Sequence, residues 1–245
     1  MASYQIEDCG HYRESTEVAG IPVYIFEDHS LALPAWGTVS SRLGMPLNLV
    51  TFDSHTDTHL SFNSHIFDVT GEAPQLGEYG LKNPIISDVL RNARFRRVDF
   101  SFEDVYRITI GYLKNTEQIL TGMDWEYLSS YTVINREDGV GLGYERDDRI
   151  MGYNATYLSK ESWECWSGEN INDPLVVDFD LDFFGCSTDF DDTFKQKVTP
   201  LLKRAKAITI AREPKFFENC KTADDYTNEQ ALEQLLSFIR DALIE

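Results

Sequence analysis

The segment Asp53-Ser54-His55-Thr56-Asp57 places two carboxylates and an imidazole at alternate positions. In an extended chain, residues two apart face the same way, so these three side chains would converge as metal ligands. With 5 His and 22 Asp in 245 residues, such a D-x-H-x-D pattern is expected by chance only about 0.04 times. The structural alternative is a capped, solvated turn with a satisfied histidine. A second segment, Asp178-Phe179-Asp180-Leu181-Asp182, sets three carboxylates on one strand face and Phe179, Leu181 and Phe183 on the other. Carboxylates so close raise one another's pKa, and a divalent cation is the simplest way to keep them ionised together. The alternative, an edge strand with its acids in water, fits poorly with the apolar Leu175-Val176-Val177 before it. A third piece, Glu27-Asp28-His29-Ser30-Leu31-Ala32, is weak alone, since a single histidine at a turn is more often structural. It gains weight from standing, like the others, at the end of a strand-like run.

Four of the five histidines (His29, His55, His59, His65) fall within 37 residues. Imidazoles mixed with carboxylates, and no cysteine in the motifs, point away from structural zinc and toward manganese, iron or a similar ion. Two ions need more than four ligands. His29, Asp53, His55, Asp57, Asp180 and Asp182 supply six, enough if some carboxylates bridge.

The elements that must position these residues are legible as runs. Residues 21–26, 47–52, 175–177 leading into 178–184, and 207–211 read as strands. Helices are expected over Pro84 to Arg94, part of Asp104 to Leu120, Phe194 to Lys206, and Asn228 to Ile244, the last with Leu232, Leu235, Leu236, Ile239 and Leu243 at helical spacing. Strands alternating with helices predict an α/β fold, a three-layer α/β/α arrangement around a mainly parallel sheet. Ligands in such sheets collect outside the carboxyl ends of the strands. Residues 121–172, with Gly139, Gly141 and Gly143 and the aromatic Tyr153, Trp163 and Trp166, are expected to form hairpins or long loops. Ordinary packing is the simpler role for those aromatics, a peptide groove the sharper one.

No linker or repeat divides residues 1–245, and 42% hydrophobic content is enough for one full core, so a single catalytic domain is expected. Neither a signal peptide nor a membrane-length apolar run is visible, and the four dispersed cysteines (Cys9, Cys165, Cys186, Cys220) suggest no disulfide framework. A cytoplasmic location is the expectation. A formal charge of −19 disfavours nucleic acid and anionic membranes as partners and favours cationic ligands. A homo-oligomer is left open.

The three blocks resemble those of the arginase and deacetylase superfamily, the ureohydrolases in particular. Asp28-His29-Ser30-Leu31-Ala32 is similar to the D-H-S-L-A block, Asp53 to Asp57 to D-A-H-x-D, and Asp180-Leu181-Asp182 to D-x-D, in the family's order. The early E-D-H-x-x-x-L-P-A-W and late D-x-D-L-D-F-F are closer still to the peptide arginases, which convert arginine residues in ribosomally made precursor peptides to ornithine. The resemblance implies an arginase/deacetylase-like fold and two Mn2+ ions bridged by Asp53 and Asp180. His29 and Asp57 would complete one site, His55 and Asp182 the other. Asp178 stands where the family has a small polar residue, which implies a role behind the ligands. Asn63-Ser64-His65 resembles the N-x-H whose histidine shuttles protons, on a loop shorter than in free-arginine enzymes. Glu213, two residues from the family's usual place, is the candidate guanidinium-binding acid; a surface salt bridge is its alternative. The implied reaction is attack of activated water on a guanidinium carbon, with urea released. The rival readings are a free-arginine or agmatine ureohydrolase, a metal-dependent amide deacetylase, and a non-catalytic acidic module merely stabilised by a metal.

Overall fold

The computed structural model describes residues 12–72, 83–92, 101–136, 152–159, 162–163, 165–166, 168 and 170–244. The amino-terminal Met1 to Cys9 and the Gly139, Gly141 and Gly143 stretch lie outside these. Among the described residues, seven strands form one sheet: β1 (Tyr12–Val18), β2 (Ile21–Phe26), β3 (Leu47–Asp53), β4 (Leu128–Asn135), β5 (Ala155–Leu158), β6 (Leu175–Asp180) and β7 (Ala205–Ala211). Their order is β1-β2-β7-β6-β3-β4-β5. Only β1 runs antiparallel to its neighbour; the other pairings are parallel.

Every residue of β3 and β6 is buried. That follows from covering both faces of a parallel sheet, where a strand reads as a continuous apolar run. Alternate residues feed two separate cores. Val50, Phe52, Val177 and Phe179 join Val198, Leu202, Leu235 and Phe238 on one face; Leu49, Val176 and Ala207 join Trp36, Val39, Val105, Ile108 and Ile119 on the other. The first core is roofed by α6 (Asp192–Arg204) and α8 (Asn228–Ile244), the second by α1 (Ala32–Leu43), α4 (Phe102–Tyr112) and α5 (Gln118–Asp124). The expected three layers and mainly parallel sheet are therefore present.

Three further α-helices are described: α2 (Asn63–Thr70), α3 (Pro84–Asn92) and α7 (Pro214–Cys220). The helix expected to run to Lys206 ends at Arg204, because Ala205 already pairs with Leu175 in the sheet. β1, β4 and β5 were not legible as strands. Residues 121–172, expected as hairpins or long loops, hold β4 and β5, which pair in parallel and so are not the two arms of a hairpin. Trp163 packs edge-on against Phe52, 5.8 Å between centroids, and Tyr153 donates its hydroxyl to Asp124, so both follow the ordinary-packing reading.

The topology assembles the candidate residues. β2, β7, β6 and β3 are adjacent, and their carboxyl ends lie side by side: Phe26 pairs with Ala211, Ala211 with Asp180, and Phe52 with Phe179. His29, Glu213, Asp180 with Asp182, and Asp53 to Asp57 all issue from that edge.

Candidate metal centre

Each strand end turns at once into a short, self-bonded connection. After β2, Asp28 caps a single 3-10 turn, accepting from the Ser30 amide at 2.9 Å and its hydroxyl at 2.6 Å. This turn, His29–Leu31, buries His29 completely. After β6, Asp180 caps a second 3-10 turn (Leu181–Phe183), accepting from the Asp182 amide at 3.2 Å. After β3, Asp53 accepts from the His55 amide at 2.6 Å, and Ser54 ties two blocks together by donating its amide and hydroxyl to the Asp182 carboxylate and carbonyl. Two expectations change here. Neither D-x-H-x-D nor the Asp178 to Asp182 row continues as an extended strand: β3 stops at Asp53 and β6 at Asp180. Turns, rather than strand alternation, bring His55, Asp57 and Asp182 inward.

All six expected ligands converge. His29 Nδ1 lies 2.8 Å from Asp57, 3.3 Å from Asp180 and 3.5 Å from Asp53. His55 Nδ1 lies 3.0 Å from Asp182 and 3.7 Å from Asp53. Asp53 thus faces both imidazoles, as a bridging carboxylate would. His29, Asp53 and Asp180 form one group able to hold a cation, and His55, Asp182 and Cys220 a second. Cys220 corrects the sequence reading, which saw no cysteine converging on the motifs.

The cost of this cluster is visible in its electrostatics. Burial, then the Asp57 carboxylate, pushes Asp53 well above the usual carboxylate range. Burial and Asp182 push Asp180 up to about 7. Burial lowers the basicity of His29, but Asp178, Asp180 and Asp57 more than reverse this and hold it well above an ordinary histidine. Hydrogen bonds to Asp182 and Asp53 raise His55 to about 12. Burial and Asp182 raise the Cys220 thiol to about 11. These are groups competing for too few positive charges: Asp53 Oδ2 is buried with no hydrogen-bond partner, and His29 Nδ1 is ringed by three carboxylates, the nearest at 2.8 Å. A divalent cation between them would satisfy Asp53 and relieve the repulsion. The donor set of carboxylates and imidazoles fits manganese or a similar ion.

Asp178 has a defined place behind this cluster. It pairs in register with Thr51 on one side and Thr209 on the other, so the three side chains form a polar row across the sheet. Thr51 donates to Asp178 at 2.7 Å, Thr209 donates to its other oxygen, and Trp36 donates to Thr209 at 3.2 Å. His29 Nε2 reaches the same carboxylate at 2.7 Å. With Nε2 fixed on Asp178, the ring would offer Nδ1 to a cation in place of the proton it shares with the carboxylates, the arrangement by which a metal-binding histidine is oriented from behind.

Glu213 belongs to the same site and not to the surface. It is 6% exposed, accepts from the His29 amide at 3.0 Å, and takes the Asn115 side-chain amide on both oxygens at 3.0 and 3.1 Å. Burial, then Asp180, lifts it to about 10. It lines a cavity of about 370 Å³ with Glu27, Asp28, Asn115, Pro214, Lys215 and Phe216. Glu213 (φ 38) and Asp57 (φ 50) both adopt left-handed backbone conformations, which cost a non-glycine residue on the order of 1 kcal/mol each and cluster at functional sites.

His65 stands on α2 with its ring edge-on to Tyr112, 4.9 Å between centroids. No hydrogen bond or ion pair joins it to the six ligands among the described residues. The sequence reading missed Asn115 to Gln118, a stretch without motif character that touches Glu213, the start of α2 and Asp57. Asn115 holds Glu213; Glu117 accepts from the Ser64 amide of α2 at 2.8 Å; Gln118 donates to Asp57 at 2.6 Å.

No protein-family model and no curated protein matches this sequence. Among solved structures, the chain is similar to proclavaminate amidino hydrolase from Streptomyces clavuligerus, with 15% identity and a TM-score of 0.49 over 90% of this chain. The chain spans 62% of that enzyme's length, and a likeness of this size carries no argument about what this chain does.

Proposed function

We propose that this protein is a manganese-dependent hydrolase that converts arginine residues of a precursor peptide to ornithine and releases urea. The observation that carries the reading is the convergence of two imidazoles and four buried carboxylates, with three of those carboxylates around His29 Nδ1 and Asp53 Oδ2 left without a hydrogen-bond partner. His29 and Asp57 would hold one cation and His55 and Asp182 the other, with Asp53 and Asp180 between them completing the donor set. Bound there, such ions would acidify a water molecule and stabilise the charge that develops on its attack.

The remaining work falls to the chain. Glu213, buried beside Asp180 and Asp57 and facing a cavity, is an acid in want of a counterion. A guanidinium supplies one through charge-assisted hydrogen bonds. Asn115 and the His29 amide fix the carboxylate so that it presents one orientation to the substrate. His65 is the residue assigned to deliver a proton to the departing δ-nitrogen. The resemblance in motif wording and the short Asp57 to Asn63 connection favour a peptide over free arginine, since an internal residue offers no free amino or carboxylate group for a longer loop to hold.

Incubating arginine-containing peptides with the manganese-loaded protein tests this. Each converted residue loses about 42 Da by atom count, and urea appears in equal amount. Urea from free arginine alone would move the substrate assignment to the amino acid. Acetate from an acetylated amine would establish the deacetylase reading instead, and no turnover with metal bound would leave a metal-stabilised binding module.

A further inference from the structure

We propose that Cys220 is a thiolate ligand to the cation held by His55 and Asp182, so that the two metal positions differ in chemical softness. The inference rests on the two-cation reading and extends it. Cys220 Sγ lies 3.8 Å from Asp182 Oδ2, His55 Nδ1 lies 3.0 Å from the same oxygen, and the three ligand atoms all fall within 4.8 Å of one another. Metal–sulfur bonds of about 2.3 Å and metal–nitrogen or –oxygen bonds of about 2.0–2.2 Å, at angles between a right angle and tetrahedral, separate ligand atoms by about 3.0–3.7 Å. The His55–Asp182 spacing already falls in that range and the Cys220–Asp182 spacing at its upper end, while His55 and Cys220, within 4.8 Å of each other, would close by about an ångström at most.

Two further observations make this more than a cysteine near a histidine. Asp53, wholly buried, sets its Oδ1 3.7 Å from His55 Nδ1 and accepts from the His55 amide with the same oxygen, so a second carboxylate already faces the position from the other side. The thiol is also held in place. Cys220 is the last residue of α7, and the Arg136 guanidinium donates to the carbonyls of both Cys220 and Asp182 at 3.0 and 3.3 Å. That clamp fixes the helix end against the turn that carries Asp182. Cys220 is a free cysteine, half-buried, with no disulfide.

Binding displaces the thiol proton to solvent and transfers no electrons. The His29 and Asp57 position then offers only nitrogen and oxygen donors and suits manganese. The Cys220 position adds sulfur and ranks zinc, cobalt or ferrous ions higher.

Cobalt titrated into the chelator-stripped full chain tests the assignment by absorption and by stoichiometry. The expected result is two bound ions and a near-ultraviolet sulfur-to-cobalt charge-transfer band. Cys220→Ser and Cys220→Ala would each abolish the band, keep the parent circular dichroism, and weaken the second ion by about tenfold or more. Two ions bound with no such band, or a band that survives in both variants, overturns the thiolate while leaving the two-cation centre intact. Failure of the parent to bind cobalt or manganese overturns both.

Discussion

At the residue scale, the site depends on which ring nitrogen of His29 carries the proton. Asp178 decides it by accepting from Nε2 while Thr51 and Thr209 donate to the same carboxylate and hold it in place. An Asp178→Asn variant keeps the shape but brings an amide N–H toward one of three donors, favouring the tautomer whose Nδ1 is protonated and cannot bind a cation. The expected outcome is a 10–100-fold loss of metal affinity by equilibrium dialysis, about the range seen when the partner behind a ligand is removed, with native circular dichroism retained. Unchanged affinity would show that Asp178 does not orient the ring. Glu213→Gln separates binding of substrate from binding of metal. Because the amide can still accept from the His29 and Asn115 N–H groups but carries no charge, two bound ions should remain while kcat/KM for an arginine peptide falls by about 10²-fold or more, roughly the worth of a desolvated charged hydrogen bond. Loss of metal in this variant would instead make Glu213 a ligand.

At the element scale, the interest lies in the junctions. Strands end on Asp53 and Asp180, and two 3-10 turns with one irregular loop then bring His29, Asp182, His55 and Asp57 to them. Gly185 shows how tightly two of these connections are joined. A Cβ there would come within 2.3 Å of the Arg136 guanidinium, which bonds the Asp182 and Cys220 carbonyls. Gly185→Ala is expected to displace that flexible side chain at little steric cost but with loss of its bonds, destabilising the fold by about 1–3 kcal/mol in urea unfolding. The ion bound at His55 and Asp182 should weaken more than its neighbour. Equal weakening of both positions, or none, would show that the clamp does not support the second one.

At the scale of the whole molecule, the carboxylates and histidines of the site make stability depend on pH in one direction. Asp53, Asp180 and Glu213 have folded pKa values raised above the unfolded carboxylate range, to about 7 for Asp180 and about 10 for Glu213. His29 and His55 are raised as well. The folded state therefore binds more protons than the unfolded one, so their stabilisation is fully present below the unfolded pKa values and is lost as pH rises through the folded ones. Chelator-treated protein should melt higher near about pH 5.5 than near about pH 8.5, and saturating manganese should flatten or reverse that slope, because bound cations favour the ionised carboxylates. A metal-free protein that melts higher in alkali would contradict the assignment of these shifts to the site.

How much of this was legible before folding varies with the physics. The strands at 21–26 and 47–53 and the helix at Asn228–Ile244 could be read because period and apolar content are local properties. β4 and β5 could not, since residues such as Ser129, Ser130 and Thr132 become strand only by pairing beside β3 and, for β4, beside β5. The sequence by itself determined the six side chains proposed as ligands, because three dense clusters of acids and histidines at strand ends are improbable without a cation to reconcile them. Only the tertiary structure decided that Asp178 stands behind His29, that Glu213 is buried beside the acids, and that Asn115 and Gln118 hold the site together. It alone brought Cys220 to Asp182, 38 residues away in the chain. The physical reason is that ligand type is written in side-chain chemistry, whereas proximity between strands follows from sheet order and turn geometry, which no local pattern encodes.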